Sequence, residues 1–289
     1  MYIKSIKSSL INGIRVDTLE VRFPRIILPE FNTHRVFSRN FQSSRAKPIL
    51  KVISEDLTYT PSDYGWRKNS KGMSPSELFG VYDSSKFSTD WKLAKEDMIK
   101  KAIYFHEEGV AKEIVNRLLE PFMEVTGVVT STEWNNFLIL RLNEGAQTEI
   151  RVLAKMIKDT LDSTTPIVRD FHLPYTEDID EEYKWSTNFS QKDLIQQIKQ
   201  SVARCARVSY FSFDKKESEL DKDIELFNRL KESKHLSPFE HIVLNKESMN
   251  FLFPSDDYIR IKFREDDLNG NFYKGVIQFR KLIEIGVEI

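Results

Sequence analysis

Cysteine is almost absent from this chain: one residue, Cys205, stands in 289. A disulfide framework within the chain is therefore impossible, and a zinc cage built on cysteines is excluded in practice. A reducing setting follows, and a cytoplasmic protein without a metal site is expected. Net charge is nearly absent as well, at −1, so no global basic field points to DNA or RNA. No stretch approaches the roughly 18 apolar residues of a membrane span, and no membrane partner is expected. Met1 to Leu10 mixes polar and apolar residues, without the apolar run of a signal peptide. There is no internal repeat and no low-complexity tract.

What is present suits a globular chain. Hydrophobic residues make up 40% and charged residues 30%, and aromatics at 12% allow a sizeable core or planar ligands to stack. Val16 to Leu28 reads as strand, with Leu19, Val21 and Phe23 on one alternating face and Ile26-Ile27-Leu28 as a buried run. Residues 54–90 read as a polar, loop-like insertion. Helices are expected over Trp91 to Glu108 and Val110 to Leu119, broken by Gly109 and stopped before Pro121. One long helix is expected from Asn135 to Leu161, with Ala146, Ile150, Leu153, Ala154 and Ile157 on one face. Phe171 to Lys184 reads as an acidic surface connection. Ser190 with Asp193 forms a capping box for a helix through Ala206, and another helix follows over Asp221 to Lys234. Strand character returns at Ile242-Val243-Leu244 and over Phe251 to Phe263. The expected fold is α+β, a mostly antiparallel sheet packed with long helices, as one domain over residues 1–289.

The informative segment runs from Thr33 to Arg45, directly after the first buried strand. It concentrates arginine, serine, histidine, asparagine and glutamine. Arginine offers a planar fork of donors that matches phosphate oxygens, and serine hydroxyls with loop amides complete such a cradle. On chemistry alone the segment is either an anionic-ligand site, such as one for a nucleotide, or a solvated basic turn.

Its spacing, His34-Arg35-x-x-Ser38-x-Asn40-x-x-Ser43-x-Arg45, resembles the signature of the flavin-dependent thymidylate synthases. The chain departs from it at Thr33, where the family usually has arginine, and at Phe41, where it usually has an acidic residue. Asn136-Phe137-Leu138-Ile139-Leu140-Arg141 and Ala146-Gln147-Thr148-Glu149-Ile150 are similar to a second family segment, and Glu113 to Pro121 to a third. Ala203 to Tyr210 and Ser237-Pro238-Phe239-Glu240-His241 resemble two more, which in usual members precede the His-Arg signature. Here they follow it, so the chain reads as circularly permuted.

The resemblance implies a family fold, bound FAD, and methylation of dUMP with methylenetetrahydrofolate and NAD(P)H. It implies a homotetramer with active sites shared between subunits. Carried over residue by residue, the nucleotide falls to Glu30 (where the family has glutamine), Gln42, Ser43, Ser44, Arg45 and Arg117. Arg141 falls beside the pyrimidine as the catalytic cation. FAD contacts fall to Thr33, His34, Arg35, Ser38, Asn40, Asn136, Ser209 and His241. Cys205 stands where the family has alanine and reads as a small buried residue, not a nucleophile. The rival readings are a related enzyme modifying dCMP or hydroxymethylating a pyrimidine nucleotide, and a non-catalytic flavin- or nucleotide-binding homologue. A nucleic-acid module using the arginine-rich loop ranks below both.

Overall fold

The computed structural model describes residues 1–70, 77–178, 190–209, 219–254 and 267–289. Strands β1 (Tyr2–Ile11) and β2 (Ile14–Pro24) form an antiparallel hairpin. Its two-residue turn is Asn12-Gly13, both at positive φ (50° and 77°). Such turns match the twist of paired strands and favour this dipeptide. β2 is followed by a 3-10 turn, Arg25–Ile27, and a single helical turn, α1 (Leu28–Phe31). The expected strand therefore stops at Pro24: Ile27 is buried but Ile26 is exposed, so the apolar run serves a turn.

β3 (Ser38–Phe41) carries the middle of the signature, Ser38 and Asn40. α2 (Ile49–Glu55), α3 (Val81–Glu107) and α4 (Lys112–Val115) follow, then a 3-10 stretch over Asn116–Phe122 and β4 (Glu124–Ser131). The loop expected over residues 54–90 is shorter than anticipated, because α3 begins at Val81; residues 71–76 lie outside the described residues. The single helix expected from Asn135 to Leu161 is two helices, α5 (Asn135–Arg141) and α6 (Thr148–Ser163). The break is a turn in which Gly145 N donates to Asn143 Oδ1 at 2.8 Å, and Gln147 is extended.

β5 (Ile167–Val168) pairs in parallel with β1 and completes a five-stranded sheet ordered β3-β4-β2-β1-β5, otherwise antiparallel. β6 (Phe171–His172) starts a second sheet, so the expected surface connection is at first a strand; residues 179–184 lie outside the described residues. α7 (Gln191–Ser209) has its capping box: Ser190 N donates to Asp193 Oδ2 at 2.8 Å, and Asp193 N to Ser190 Oγ at 3.3 Å. α8 (Leu220–Glu232), β7 (Val243–Leu244), α9 (Lys246–Leu252), β8 (Ile277–Gln278) and α10 (Phe279–Glu284) follow. Phe251 and Leu252 are helical, not strand, and residues 255–263 lie outside the described residues. β6, β7 and β8 form the second sheet, antiparallel throughout.

The fold is α+β. α5 and α6 cover one face of the large sheet, where Ile150, Leu153 and Ile157 meet Leu19, Val21 and Phe23. Burying each such side chain stabilises by about 1.5–3 kcal/mol. α7, α8 and α10 enclose a second core around β7 and β8. Cys205 on α7 packs between Val128 of β4 and Val208. No described helix is long and apolar enough to cross a membrane.

Candidate active site

The turn after β2 is anchored by apolar rings. Phe31 and Phe37 are buried, and His34 lies edge-on to Phe137 of α5, ring centres 4.9 Å apart. Arg141, the last residue of α5, donates from Nε to His34 Nε2 at 2.9 Å. Arginine has no acceptor, so His34 is neutral and carries its proton on Nδ1. Burial, followed by the charges of Arg141 and Arg39, pushes its pKa down to about 4. Arg141 Nη1 donates to the Glu30 carboxylate and Nη2 to Thr33 Oγ1 at 3.4 Å. The Thr33 hydroxyl is free to accept because its own hydrogen goes to Glu30 O at 2.7 Å. Glu30, expected at the nucleotide, and Thr33 and His34, expected at FAD, thus converge on the single guanidinium of Arg141.

That guanidinium opens on a cavity of about 730 Å³ whose wall includes Glu30, Tyr64, Arg67, Thr148 and Glu149. Tyr64 and Arg67 come from the insertion. Arg67 Nε donates to Thr148 Oγ1 at 2.9 Å, and the Tyr59 hydroxyl to Glu149 Oε1 at 2.8 Å. Burial pushes the Tyr64 hydroxyl up to about 12. Sequence reasoning missed these residues. Glu149 lay inside a matched stretch, whereas Tyr64 and Arg67 carried no pattern.

The other end of the signature forms a separate region. Along β3, Ser38 and Asn40 are buried and Arg39 and Phe41 half-buried. Arg39 donates to the carbonyls of Asn32, His34 and Phe37, holding the turn closed. Phe41 covers Gly127 of β4 and meets Phe23 and Phe31 edge-on. Where the family usually has an acidic residue, this chain has a side chain that closes its core. Ser38 Oγ donates to Asn271 Oδ1 at 3.1 Å and accepts from Gln278 Nε2 at 3.1 Å, tying the C-terminal segment to the sheet. Asn40 Nδ2 donates to Ser237 Oγ at 3.2 Å, and Asn40 Oδ1 lies 3.2 Å from His241 Nε2. Both ring nitrogens of His241 are engaged within the protein, Nδ1 by Thr130 Oγ1 at 2.8 Å, and burial lowers its pKa to about 3.

Ser43, Arg45, Asn40, Ser209, His235 and Ser237 line a cavity of about 540 Å³. A neighbouring one of about 570 Å³ carries Arg35, Gln278, Arg280 and Lys281, and the two share Arg39 and Ser237. Gln42, Ser43, Ser44 and Ser209 also line a small cleft with Arg25 and Lys47. Among the described residues the side chains of Arg35 and Arg45 make no hydrogen bond or ion pair. Two unpaired guanidinium groups in adjoining cavities that share Ser237 are a donor set that fits the phosphates of a flavin nucleotide. Arg117 and Asn136 line none of these cavities: both are exposed, with Arg117 Nε on Glu113 O at 3.2 Å.

Residues 14–167 match the model of the thymidylate synthase complementing protein family. The chain belongs to that family. A flavin-dependent thymidylate synthase of Aquifex aeolicus is 30% identical over 148 residues, which are 49% of this chain and 44% of that protein. The chain thus spans less than half the length of this curated relative. Among solved structures, a UMP/dUMP methylase from Streptomyces cacaoi bound with 5-Br dUMP aligns at 17% identity. The alignment covers 53% of this chain and 67% of that one, with a TM-score of 0.43. The same methylase bound with 5-Br UMP aligns at 14% identity over 55% and 88% of the two chains, with a TM-score of 0.46.

Proposed function

We propose that this family member is a flavin-dependent thymidylate synthase, converting dUMP to dTMP by reductive methylation at C5 with methylenetetrahydrofolate and NAD(P)H. The observation that carries the reading is the convergence of Glu30, Thr33 and His34 on Arg141, more than a hundred residues away in sequence, at the edge of a ligand-sized cavity. Three of the five N–H groups of the guanidinium are used there, leaving two for a ligand. A fixed cation beside a uracil ring lowers the cost of negative charge that develops on it. Bound FAD supplies the redox chemistry. Arg35 and Arg45 would hold phosphates, Ser43, Ser44 and Gln42 the nucleotide, and Asn40 and Ser209 the cofactor. Ser38 and His241, buried and bonded inward, act by holding Asn40 and its strand in place. Arg117 and Asn136 are exposed and are assigned ligand contacts only in an assembled oligomer.

The Arg141 cavity and those lined by Ser43 and Arg45 share no residue. This supports a homotetramer in which one subunit supplies Arg141 and another the phosphate cradle. The Glu30–Arg141 pair favours a second reading. A carboxylate that accepts hydrogen bonds and offsets the cation suits a ring bearing an amino group, as in dCMP. Titrating the FAD-loaded protein with each nucleotide separates the two. A shift of the flavin bands with dUMP supports the first reading, and a response to dCMP alone moves the substrate. No bound flavin overturns both.

A further inference from the structure

A line of side-chain hydrogen bonds crosses the interior from one surface to the cleft. At its outer end Arg169, ion-paired with Asp178, points Nη1 at Ser9 Oγ, 3.3 Å away. The Ser9 hydroxyl lies 2.8 Å from His172 Nδ1, and His172 Nε2 lies 2.7 Å from Thr18 Oγ1. Thr18 meets Thr130 at 2.6 Å, and Thr130 meets His241. Beyond His241 stand Asn40 and Ser237. Ser9, Thr18, Thr130, His172 and His241 are each 0% exposed, so bulk solvent does not reach these bonds.

The direction of the line follows from the inventory of donors. The arginine only donates, and the single Ser9 hydrogen has no acceptor but His172 Nδ1 among the described residues. His172 is therefore neutral with its proton on Nε2, aimed at Thr18. The Thr18 hydrogen passes to Thr130 and the Thr130 hydrogen to His241 Nδ1. His241 is left as the Nε2–H form, donating to Asn40 Oδ1. Every hydroxyl then accepts once and donates once. The reverse arrangement strands the Ser9 hydrogen in the core, which costs about 1–3 kcal/mol. It would also turn the Asn40 amide over and set a carbonyl oxygen, not an N–H, toward the cleft.

We propose that His172 is a positioning residue: through Thr18 and Thr130 it holds His241 in the Nε2–H form, and so keeps the Asn40 amide N–H directed at Ser237 and the cleft. The consequence for cofactor binding rests on the flavin reading of Asn40; the proton arrangement does not.

Ring 15N shifts of histidine-labelled protein, recorded without flavin, test the arrangement directly. His172 and His241 are both expected as neutral Nε2–H rings, and an Nδ1–H form of either overturns the proposal. The role is read from H172F and H172Q. H172F is expected to displace the Asn40 side-chain amide and His241 ring signals and to weaken FAD binding about tenfold, the scale of one lost hydrogen bond. H172Q brings an N–H and a carbonyl into the same space and is expected to restore both. Unchanged Asn40 and His241 signals in folded H172F, or in H172Q no recovery, overturn it. If unsubstituted protein binds no flavin, the flavin reading fails while the NMR arms still decide the positioning role.

Discussion

At the scale of single residues, the candidate site was legible as a set of chemistries but not as a set of contacts. Glu30 and Arg141 were each readable as nucleotide residues, yet nothing in a linear pattern says that they pair, because the pairing is made by the packing of α1 against α5. Replacing Arg141 by alanine is expected to lower dUMP turnover by about 10²–10³-fold, the usual cost of losing a fixed donor at developing charge. FAD absorbance should be retained, since the unpaired cations near the flavin cavities are Arg35 and Arg45; full turnover in R141A would remove its assigned role. Gly127 is the opposite case, a residue that drew no notice. A Cβ there would sit 2.2 Å from Phe41 Cδ1 and 2.8 Å from the Asn40 carbonyl oxygen. Gly127→Ala should therefore push β3 off β4 and cost about 1–3 kcal/mol, read from urea unfolding.

At the scale of elements, alternation and capping were reliable and boundaries were not. The alternation of Leu19, Val21 and Phe23 was correct because one face of β2 is buried under α6. The break at residues 142–147 was invisible because α5 and α6 face the same core, so Ala146 and Ile150 keep the apolar period across a turn. The start of α3 was hidden by Ser84, Ser85, Ser88 and Thr89, which read as loop residues. In the fold, hydroxyls turn back onto the helix, Ser88 Oγ to Ser84 O at 2.7 Å and Thr89 Oγ1 to Ser85 O at 3.0 Å. The N-terminal hairpin was missed although Asn12-Gly13 is a strong turn signal. Ser190, read correctly, offers a measurement: Ser190→Ala should cost about 1 kcal/mol through loss of the cap on α7, seen as a thermal midpoint lower by about 2–4 °C.

At the scale of the whole molecule, the segments that look out of order return to the signature strand: Ser237 and His241 both bond Asn40, some 200 residues earlier. Chain order hides such an assembly, and side-chain motifs reveal it. Three buried histidines set the acid limit of the fold. The pKa values of His34 and His241 fall to about 4 and about 3, and that of His172 lies well below the ordinary 6.5. The unfolded chain takes up these protons near pH 6.5 and the folded one does not. Stability is thus full above about pH 6.5 and falls below it, by up to about 1.4 kcal/mol per pH unit for each histidine, until the folded rings titrate. Urea midpoints between pH 7.5 and 5 should show the decline, and a flat profile would mean that the rings are charged or solvated in the fold. Assembly has its own test. If sites are shared, mixing inactive R141A with inactive R45A subunits should restore about a quarter of the activity, because random pairing leaves that share of sites with both halves intact. A mixture that stays inactive points to sites complete within one chain.

The lone thiol offers an internal clock. Cys205 is 0% exposed between β4 and α7, and burial pushes its pKa up. In the closed fold it presents neither access nor thiolate to an alkylating reagent. Each labelling event therefore records one opening of the α7–β4 interface. With one cysteine per chain, the labelling rate in native buffer follows how often that interface separates, without a probe having to be engineered in.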